Sequence, residues 1–300
     1  MRPKTLKNIV GQEKCKKVLT TLINFSNEKN LQIPSFLLSG PSGFGKTSIA
    51  NVVASEINSK LYTIDSSNTS FKEIYQIISE ASDRDLIYLD ECHALKNKVQ
   101  ENLYSAIEDY CIFNNGYREE IPKVTFIGAT TNPGSLKTPF KNRFRYIAAL
   151  EEYSQEELVL VCKGICEERG FKLNNNLAEV IAKTCRGTPR IMVNKTEFIY
   201  MFMIGNNIKS INANKIKEII ALQGTDENGL TIEDRNYLLT LFKNRCGLSL
   251  ANIASKIQVD VESITKIIEP YLFKLNFASV ITSGRILTKD GKNYVEKYIL

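Results

Sequence analysis

Gly40-Pro-Ser-Gly-Phe-Gly-Lys-Thr47 is the stretch of this 300-residue sequence that decides the fold. It follows a short apolar run, Ser35–Ser39, and precedes a helical pattern over Ser48–Asn58. A loop of the form G-x-x-x-x-G-K-T between a strand and a helix is typical of phosphate-binding loops. Because the strand, the loop and the helix stand in the required order, this stretch predicts a nucleotide-binding α/β domain.

The residue types in this loop suit the phosphates of ATP. Gly43 and Gly45 let the backbone curl until consecutive N–H groups point at phosphate oxygens. The helix that follows adds its positive N-terminal end. Lys46 is expected to reach the β- and γ-phosphates, and Thr47 to offer its hydroxyl to Mg²⁺. The predicted ligands are therefore ATP and Mg²⁺.

Two further apolar runs predict neighbouring strands of a parallel sheet. Leu86–Asp90 and Val124–Gly128 alternate along the chain with helical patterns such as Phe71–Ala81, and this alternation is the signature of a parallel α/β sheet. The first run ends in two carboxylates, which need compensation at a strand end because they carry like charges. We expect Asp90 to hold the Mg²⁺ shell and Glu91 to polarise the attacking water.

Other polar side chains follow the predicted strands. Thr130 or Thr131 would lie at the end of the third strand, close to the γ-phosphate. Arg143 suits stabilisation of a phosphoryl transition state, because a guanidinium is always charged and forks onto oxygens. Arg190, near the start of a later helix, could reach the nucleotide from a helical domain. His93 could relay the nucleotide state to a partner, or it could be structural.

The pattern changes twice after residue 150. Residues 151–224 show helical periodicity only, which predicts an all-α domain. Residues 225–300 combine three helical patterns with two short β-like runs around Ser283-Gly284, and three helices with a hairpin are typical of a winged helix. We therefore expect an ATPase domain over 1–150, a helical lid over 151–224 and a winged-helix domain over 225–300.

Composition narrows the function classes. Hydrophobic residues make up 43% of the chain, which is enough for packed cores. Seven cysteines without a C-x-x-C pair, and a single histidine, argue against a zinc site and against a disulfide framework. No apolar run approaches the roughly 20 residues that cross a bilayer, so we expect a cytoplasmic protein with no membrane partner. The last thirty residues hold five basic and two acidic side chains, which fits either a polyanion partner or a solvated tail.

The order of these motifs resembles the RuvB family of AAA+ ATPases, motors that drive Holliday junction branch migration. The resemblance covers essentially the whole chain, and it depends most on Gly128-Ala-Thr-Thr131, Gly187-Thr-Pro-Arg-Ile191 and Glu269-Pro-Tyr-Leu272. These strings are more specific than the phosphate-binding loop, which many ATPases share. The resemblance implies ATP hydrolysis, and a homohexameric ring on duplex or branched DNA during recombination and repair. It also implies an AAA+ ATPase domain with a parallel sheet, an all-α lid and a winged helix.

The resemblance also assigns roles to individual positions. It makes Arg143 the arginine finger that acts on a neighbouring subunit, Arg190 the lid arginine of the second sensor motif, and Thr131 or its neighbour the sensor of the γ-phosphate. It gives Arg285 a contact with the DNA backbone, and we expect Lys289 to join it, with little reading of bases. The resemblance implies that Ser48 binds phosphates and Mg²⁺ together with Lys46 and Thr47. It also implies that the nucleotide pocket is lined by Met1, Arg2, Glu108, Asp109, Tyr110 and Tyr153.

Several positions depart from the family pattern. Ser42 stands where proline is usual, Ala94 where arginine is usual, and Val280 where the wing tends to carry a second arginine. Arg145 replaces a glycine after the finger motif, and it is a weaker candidate for the finger. The segment 111–123 is short and polar, whereas the family inserts a longer apolar hairpin that docks onto RuvA. The contact with a RuvA-like partner is therefore expected to be altered or absent.

Two other function classes stay open at this point. A clamp-loader-like ATPase would use ATP to open a protein partner without translocating, and the short segment 111–123 is compatible with it. A nucleotide-dependent scaffold would not hydrolyse ATP, and the presence of both Glu91 and Arg143 argues against it. The winged helix and Arg285 favour a motor on DNA.

Overall fold

The computed structural model describes residues 3–114, 116–244 and 246–300, and the chain divides into two compact units. The first unit contains residues 1–168 and 187–190, and the second contains residues 169–186 and 191–300. The domain boundaries after residues 150 and 224 stay predictions. In the part of the chain that the structure describes, no helix is long and apolar enough to span a membrane.

The first unit is built on a parallel sheet, which confirms the predicted α/β fold. Its strands and hairpin are β1 (Phe36–Ser39), β2 (Leu61–Asp65), β3 (Leu86–Asp90), β4 (Cys111–Asn114), β5 (Tyr117–Glu120), β6 (Thr125–Thr130) and β7 (Tyr146–Ala149). Five of them form one sheet in the order β2, β3, β6, β1, β7, with every pairing parallel. The carboxyl ends of all five strands therefore meet at one edge of the sheet, which we call the carboxyl edge.

Helices cover both faces of this sheet. The helices of the first unit are α1 (Glu13–Lys29), α2 (Lys46–Glu56), α3 (Phe71–Glu80), α4 (Asn97–Asn102), α5 (Tyr104–Asp109), α6 (Thr138–Asn142) and most of α7 (Gln155–Arg169), with 3-10 turns at Leu6–Asn8 and Cys92–Ala94. Alternate side chains of β3 enter different cores. Leu86 and Tyr88 pack with α1 and α2, whereas Ile87 and Leu89 pack with α3 and α5. The interior strand β3 is thus buried on both faces, and its only charged residue, Asp90, lies at its end.

The segment 111–123 forms an antiparallel hairpin, β4–β5. The description of this segment as polar needs a correction, because the hairpin exposes two aromatic rings. Phe113 is 62% exposed and Tyr117 is 80% exposed. The sequence did not reveal this feature, because Phe113 directly follows the buried Ile112 and nothing in the sequence separates an exposed ring from a buried neighbour.

The second unit carries the lid helices and the winged helix. After the end of α7, its helices are α8 (Asn175–Lys183), most of α9 (Pro189–Gly205), α10 (Ala213–Leu222), α11 (Ile232–Phe242), α12 (Leu250–Ile257), α13 (Val261–Ser263), α14 (Glu269–Lys274) and α15 (Lys289–Tyr298), and its hairpin joins β8 (Ala278–Ile281) and β9 (Gly284–Leu287). Buried side chains of α11, α12, α14, β9 and α15 form one core. The predicted winged helix is confirmed.

Two details of the winged helix differ from the sequence-based prediction. The third of the predicted helical patterns is not one continuous α-helix, because a π-helical turn, Ile264–Ile268, lies directly before Glu269-Pro270. Pro270 has no N–H for the carbonyl one turn earlier, which explains the irregular turn. A last helix, α15, was not predicted, and Lys289 is its first residue. Lys289 therefore lies beyond the wing and not within it.

Candidate nucleotide-binding and hydrolysis site

The glycines of the predicted phosphate loop have the backbone that such a loop needs. Gly43 and Gly45 have φ angles of 84° and 97°, a left-handed conformation that favours glycine. A Cβ atom on Gly43 would also come within 2.9 Å of the Cβ atom of Arg190. The loop leads directly into α2, whose first residues are Lys46, Thr47 and Ser48. The free N–H groups of this helix end can therefore face an anion.

The side chain of Lys46 donates hydrogen bonds to the backbone of the phosphate loop. Its Nζ atom donates to the carbonyl oxygens of Gly40 at 2.7 Å and Pro41 at 3.2 Å. The side chain is buried, and burial lowers the pKa of its ammonium, while the nearby carboxylates Glu91 and Asp90 act in the opposite direction. A phosphate that enters the loop would give Lys46 a charged acceptor in place of two neutral ones.

Tyr88 connects the two predicted Mg²⁺ residues. Its hydroxyl lies 3.1 Å from Thr47 Oγ1, and it donates to Asp90 Oδ1 at 3.1 Å. Burial raises the pKa of Tyr88, so the phenol keeps its proton at neutral pH. Mg²⁺ prefers oxygen ligands, such as those of hydroxyl and carboxylate groups, and it takes its remaining ligands from phosphates and water. Thr47 and Asp90 fit this cation, and the described residues contain no separate cluster of His, Cys, Asp or Glu that could hold a metal.

Glu91 is held by groups from the neighbouring strand end. Its Oε2 atom accepts from the N–H of Thr131 at 2.9 Å and from its hydroxyl at 2.8 Å, and His93 Nδ1 lies 3.1 Å from the same oxygen. Glu91 has a φ of 45°, which is uncommon for a side chain other than glycine. The carboxylate is therefore fixed beside Thr131 in this structure.

The structure separates the two threonines that the sequence left open. Thr130 is fully buried, and its hydroxyl lies 3.1 Å from His93 Nδ1 and accepts from the N–H of Asn132 at 3.0 Å. Thr131 is exposed and contacts Glu91 directly. This geometry favours Thr131 for a contact with the nucleotide. It gives His93 a position between Glu91 and Thr130.

Two residues beyond the sheet also lie at the phosphate loop. The guanidinium of Arg190 donates to the hydroxyl of Ser42 at 3.2 Å, a bond that the proline usual in the family could not accept. Tyr153 donates its backbone N–H to Gly187 O at 3.1 Å, and its hydroxyl lies 3.9 Å from the position that a Cβ atom on Gly45 would take. Burial raises the pKa of Tyr153 to about 12. Arg190 and Tyr153 thus lie near the loop, and their contacts with the nucleotide stay predictions.

Arg143 lies at the opposite, amino edge of the sheet. It precedes β7, which starts beside the first residue of β1, and the next residue but one, Arg145, donates its N–H to Ser35 O at 2.9 Å. The phosphate loop begins only after the last residue of β1. Four residues of strand span roughly 13 Å at about 3.3 Å each. Arg143, whose Nε lies 2.8 Å from Glu108 Oε2, is therefore remote from the phosphate loop of its own chain.

The predicted pocket residues after Glu108 share this amino edge. Asp109 ends α5, and the hydroxyl of Tyr110 accepts from Gln32, a few residues before β1, at 2.8 Å. Glu108, Asp109 and Tyr110 therefore lie on the same side of the sheet as Arg143. Within one chain, they lie on the side opposite to Lys46. Met1 and Arg2, which were also predicted to line the pocket, lie outside the described residues.

Arg285 forms an ion pair within the winged helix. It forms a two-pronged ion pair with Glu269, with Nε to Oε1 at 2.9 Å and Nη2 to Oε2 at 3.4 Å. The same carboxylate accepts from the buried hydroxyl of Tyr237 at 2.8 Å. Glu269 is only 4% exposed, so Arg285 and Tyr237 replace the hydrogen bonds that water would otherwise give its carboxylate. The sequence did not reveal this role of Arg285, because its partner is sixteen residues away. Lys289 is exposed.

Two family models match the chain. Residues 1–150 match the model described as Holliday junction DNA helicase RuvB P-loop domain, and residues 227–296 match the RuvB C-terminal winged helix domain. The Holliday junction branch migration complex subunit RuvB of Fervidobacterium nodosum is 31% identical over 306 residues, which cover 98% of this chain and 88% of that protein. The protein of the same name from Phytoplasma mali is 33% identical over 300 residues, covering 96% and 90%.

Solved structures give the same result. The RuvB Holliday junction branch migration motor of Thermotoga maritima superposes with a TM-score of 0.86 and 30% sequence identity, and the match covers 100% of this chain and 99% of that one. A variant of the same protein with arginine 170 changed to alanine gives a TM-score of 0.85 with the same identity. The likeness therefore extends over both units.

Proposed function

The chain belongs to the RuvB family of ATP-driven motors for Holliday junction branch migration, and from this premise we propose how its own residues bind ATP, hydrolyse it and act on DNA. The observation that carries the proposal is the meeting of Lys46, Thr47, Asp90, Glu91 and Thr131 at the carboxyl edge of one parallel sheet. This edge is where open α/β sheets bind ligands.

ATP binding begins with exchange of hydrogen bonds in the phosphate loop. Lys46 leaves the carbonyls of Gly40 and Pro41 for the β- and γ-phosphates, and the N–H groups at the start of α2 face the same oxygens. Thr47 and Asp90 would hold Mg²⁺ with the nucleotide. When bound, the cation would neutralise part of the phosphate charge. Arg190, already hydrogen-bonded to the loop through Ser42, adds a charge whose position depends on the lid.

In the proposed mechanism, Glu91 leaves Thr131 before hydrolysis. While Thr131 donates two hydrogen bonds to Glu91, that oxygen is not free to accept a proton from water. A γ-phosphate beside Thr131 would compete for the same hydroxyl and N–H, and it would repel the carboxylate. Glu91 would then turn to the attacking water as the general base. This arrangement links hydrolysis to an occupied site.

Arg143 supplies the finger to a neighbouring subunit. Its place at the amino edge, beside Glu108 and remote from its own phosphate loop, supports action in trans. Glu108, Asp109 and Tyr110 would then line the neighbour's pocket, and not the pocket of their own chain. Repetition of this contact is compatible with the proposed homohexamer, since head-to-tail contacts between identical chains form a ring when the rotation closes.

DNA contact is made by the winged helix through phosphates. Glu269 takes one side of the Arg285 guanidinium, which leaves further N–H donors for a phosphate oxygen. Lys289, exposed at the first turn of α15, adds a second charge. The match to the RuvB winged-helix model favours this motor over a clamp-loader-like ATPase. Contact of this kind should depend little on sequence and strongly on salt.

A RuvA-like protein is the proposed partner, since the relatives are named as subunits of a branch migration complex. The hairpin β4–β5 is the surface on which we expect it, because Phe113 and Tyr117 are both exposed there. Replacing both aromatic residues by serine should weaken binding of such a partner and leave ATP hydrolysis unchanged. Unchanged affinity in an equilibrium binding measurement would exclude the hairpin as this contact.

The hydrolytic assignment is tested by paired variants. Glu91→Gln should keep ATP affinity and lose phosphate release and branch migration of a synthetic four-way junction, whereas Lys46→Ala should lose ATP binding. Glu179→Gln, at an exposed position on α8, removes the same charge elsewhere and should behave as wild type. Turnover by Glu91→Gln near the wild-type rate would show that the general base is another group.

The finger is tested by mixing two inactive proteins. Arg143→Ala and Lys46→Ala should each lose activity, since a finger contributes roughly 10³- to 10⁵-fold in rate. Mixed assemblies contain interfaces with an intact loop on one side and an intact finger on the other, so activity should partly return. Arg169→Ala, which removes an arginine paired with Glu197, serves as the control. Absence of recovery in assemblies shown to be mixed would exclude action in trans.

A further inference from the structure

The hydroxyl of Tyr88 occupies an unusual place for a core residue. The ring is fully buried in a hydrophobic cluster to which the sheet and α2 both contribute. Its single polar atom emerges from this core between Thr47 and Asp90, at 3.1 Å from each. Both partners are residues that the proposed function assigns to Mg²⁺. A core role alone would require only the ring, and a phenylalanine has the same ring without the hydroxyl.

The two contacts fix the direction of the hydrogen bonds. The Asp90 carboxylate can only accept, and Tyr88 has one proton, which it donates to Asp90 Oδ1. The contact with Thr47 must then be a donation by the threonine hydroxyl to the tyrosine oxygen. The chain of donors therefore runs from Thr47 through Tyr88 to Asp90. Hydrogen bonds in such a chain polarise and strengthen one another in a site of low dielectric constant.

This direction prepares Thr47 for a cation. When the hydroxyl proton points to Tyr88, the oxygen lone pairs of Thr47 are directed away from Tyr88 and can be offered to a cation. Asp90 Oδ1 is fixed at the same time, because it also accepts from the N–H of Glu91 at 3.2 Å. One buried hydroxyl thus sets the orientation of a ligand oxygen and of a carboxylate that lie on different elements, α2 and β3.

We propose that Tyr88 is a positioning residue for Mg²⁺, which acts by orienting the Thr47 hydroxyl and the Asp90 carboxylate. The proposal extends the proposed function, since it assumes that this site binds Mg²⁺ with ATP. Groups that orient metal ligands typically change metal affinity by about 10- to 100-fold when they are removed. The role of Tyr88 is therefore in the metal requirement of nucleotide binding, and not in the contact with the nucleotide itself.

The test measures binding of a fluorescent ATP analogue to the full chain at increasing Mg²⁺. In Tyr88→Phe, we expect the Mg²⁺ concentration for half-maximal binding to rise about tenfold or more, while affinity without metal stays within twofold of wild type. Tyr62→Phe is the matched control. It removes another tyrosine hydroxyl from the same sheet, one that donates to Glu80 O at 3.0 Å, and it should bind Mg²⁺ and the analogue as wild type does.

Several results would overturn the proposal. An unchanged Mg²⁺ requirement in Tyr88→Phe, with normal thermal unfolding, shows that the hydroxyl does not act on the metal. An equal loss of affinity with and without Mg²⁺ shows that it supports the phosphate loop in general. A second comparison uses Thr47→Ala, in which Tyr88→Phe should have a smaller effect than in wild type because one of its two partners is gone; equal effects count against the proposal. Wild-type protein whose nucleotide binding ignores Mg²⁺ would remove the proposed function as well, which distinguishes that failure from the others.

Discussion

The ion pair between Glu269 and Arg285 gives the sharpest stability prediction, and the change to make is Arg285→Met. This variant keeps most of the apolar length of the side chain and removes both hydrogen bonds to the carboxylate. Glu269 would remain almost fully buried with Tyr237 as its donor. Removing one partner of a buried ion pair costs about 3–5 kcal/mol, because the other charge is left without compensation.

The expected cost is at the low end of that range. The Arg285 side chain is 21% exposed, so water can partly replace it, and Tyr237 continues to donate. We therefore expect a loss of about 3 kcal/mol in the free energy of unfolding of the second unit. For a unit of this size such a loss lowers the melting temperature by roughly 10 °C. Urea unfolding followed by circular dichroism, with thermal unfolding as a second measurement, gives both values.

A double variant separates the ion pair from simple packing. Glu269→Gln keeps an oxygen for the hydroxyl of Tyr237 and removes the charge that Arg285 neutralises. If the charge is the cause, Glu269→Gln with Arg285→Met should be more stable than Arg285→Met alone by about 1–2 kcal/mol. Additive losses in the two single variants would refute the reasoning, since independent packing effects add and a charge left alone does not.

Three other perturbations have outcomes that the structure specifies. Lys289→Ala should lower the salt dependence of duplex binding by about one in slope, measured by titration with salt, and leave ATP hydrolysis intact. Gly291→Ala should destabilise the second unit by about 3 kcal/mol in urea unfolding although alanine favours helices, because its Cβ would collide with the backbone oxygen of Phe277. Burial lowers the pKa of Lys195 to about 8 from an ordinary 10.5, so the unfolded chain takes up a proton between these values and stability should rise with pH there. The unfolding free energy of wild type minus that of Lys195→Met should therefore rise from pH 8 to pH 10. A constant value over this range would contradict the burial argument.

The central strands of the sheet could be predicted from the sequence, whereas its edge strands could not. β1, β3 and β6 are buried at nearly every position, so each reads as a short apolar run, as parallel strands buried on both faces do. β2 and β7 lie at the two edges and alternate between partly exposed and buried positions. Both segments are short, and their pairing depends on the strands beside them.

The residues of the candidate site could be predicted where a single strand or loop places them. The loop from Gly40 to Thr47 and the pair Asp90-Glu91 are of this kind, because each stands where a strand ends. The contacts of Tyr88 with Thr47, and of Arg285 with Glu269, were not predictable. Each joins two elements whose approach is set by packing, and nothing in either segment alone specifies the partner. The position of Glu108 beside Arg143 belongs to the same class.

The separation of the phosphate loop from Arg143 has a consequence for inheritance. If identical chains share their catalytic sites, a chain that folds and assembles without this arginine silences the site of its neighbour and keeps its own. In a cell that makes normal and altered chains in equal amounts, the altered chains would therefore reduce the output of normal ones. If one gene copy is deleted, no altered chains are made and the normal chains assemble only with one another. The substitution would therefore be dominant, and the deletion recessive.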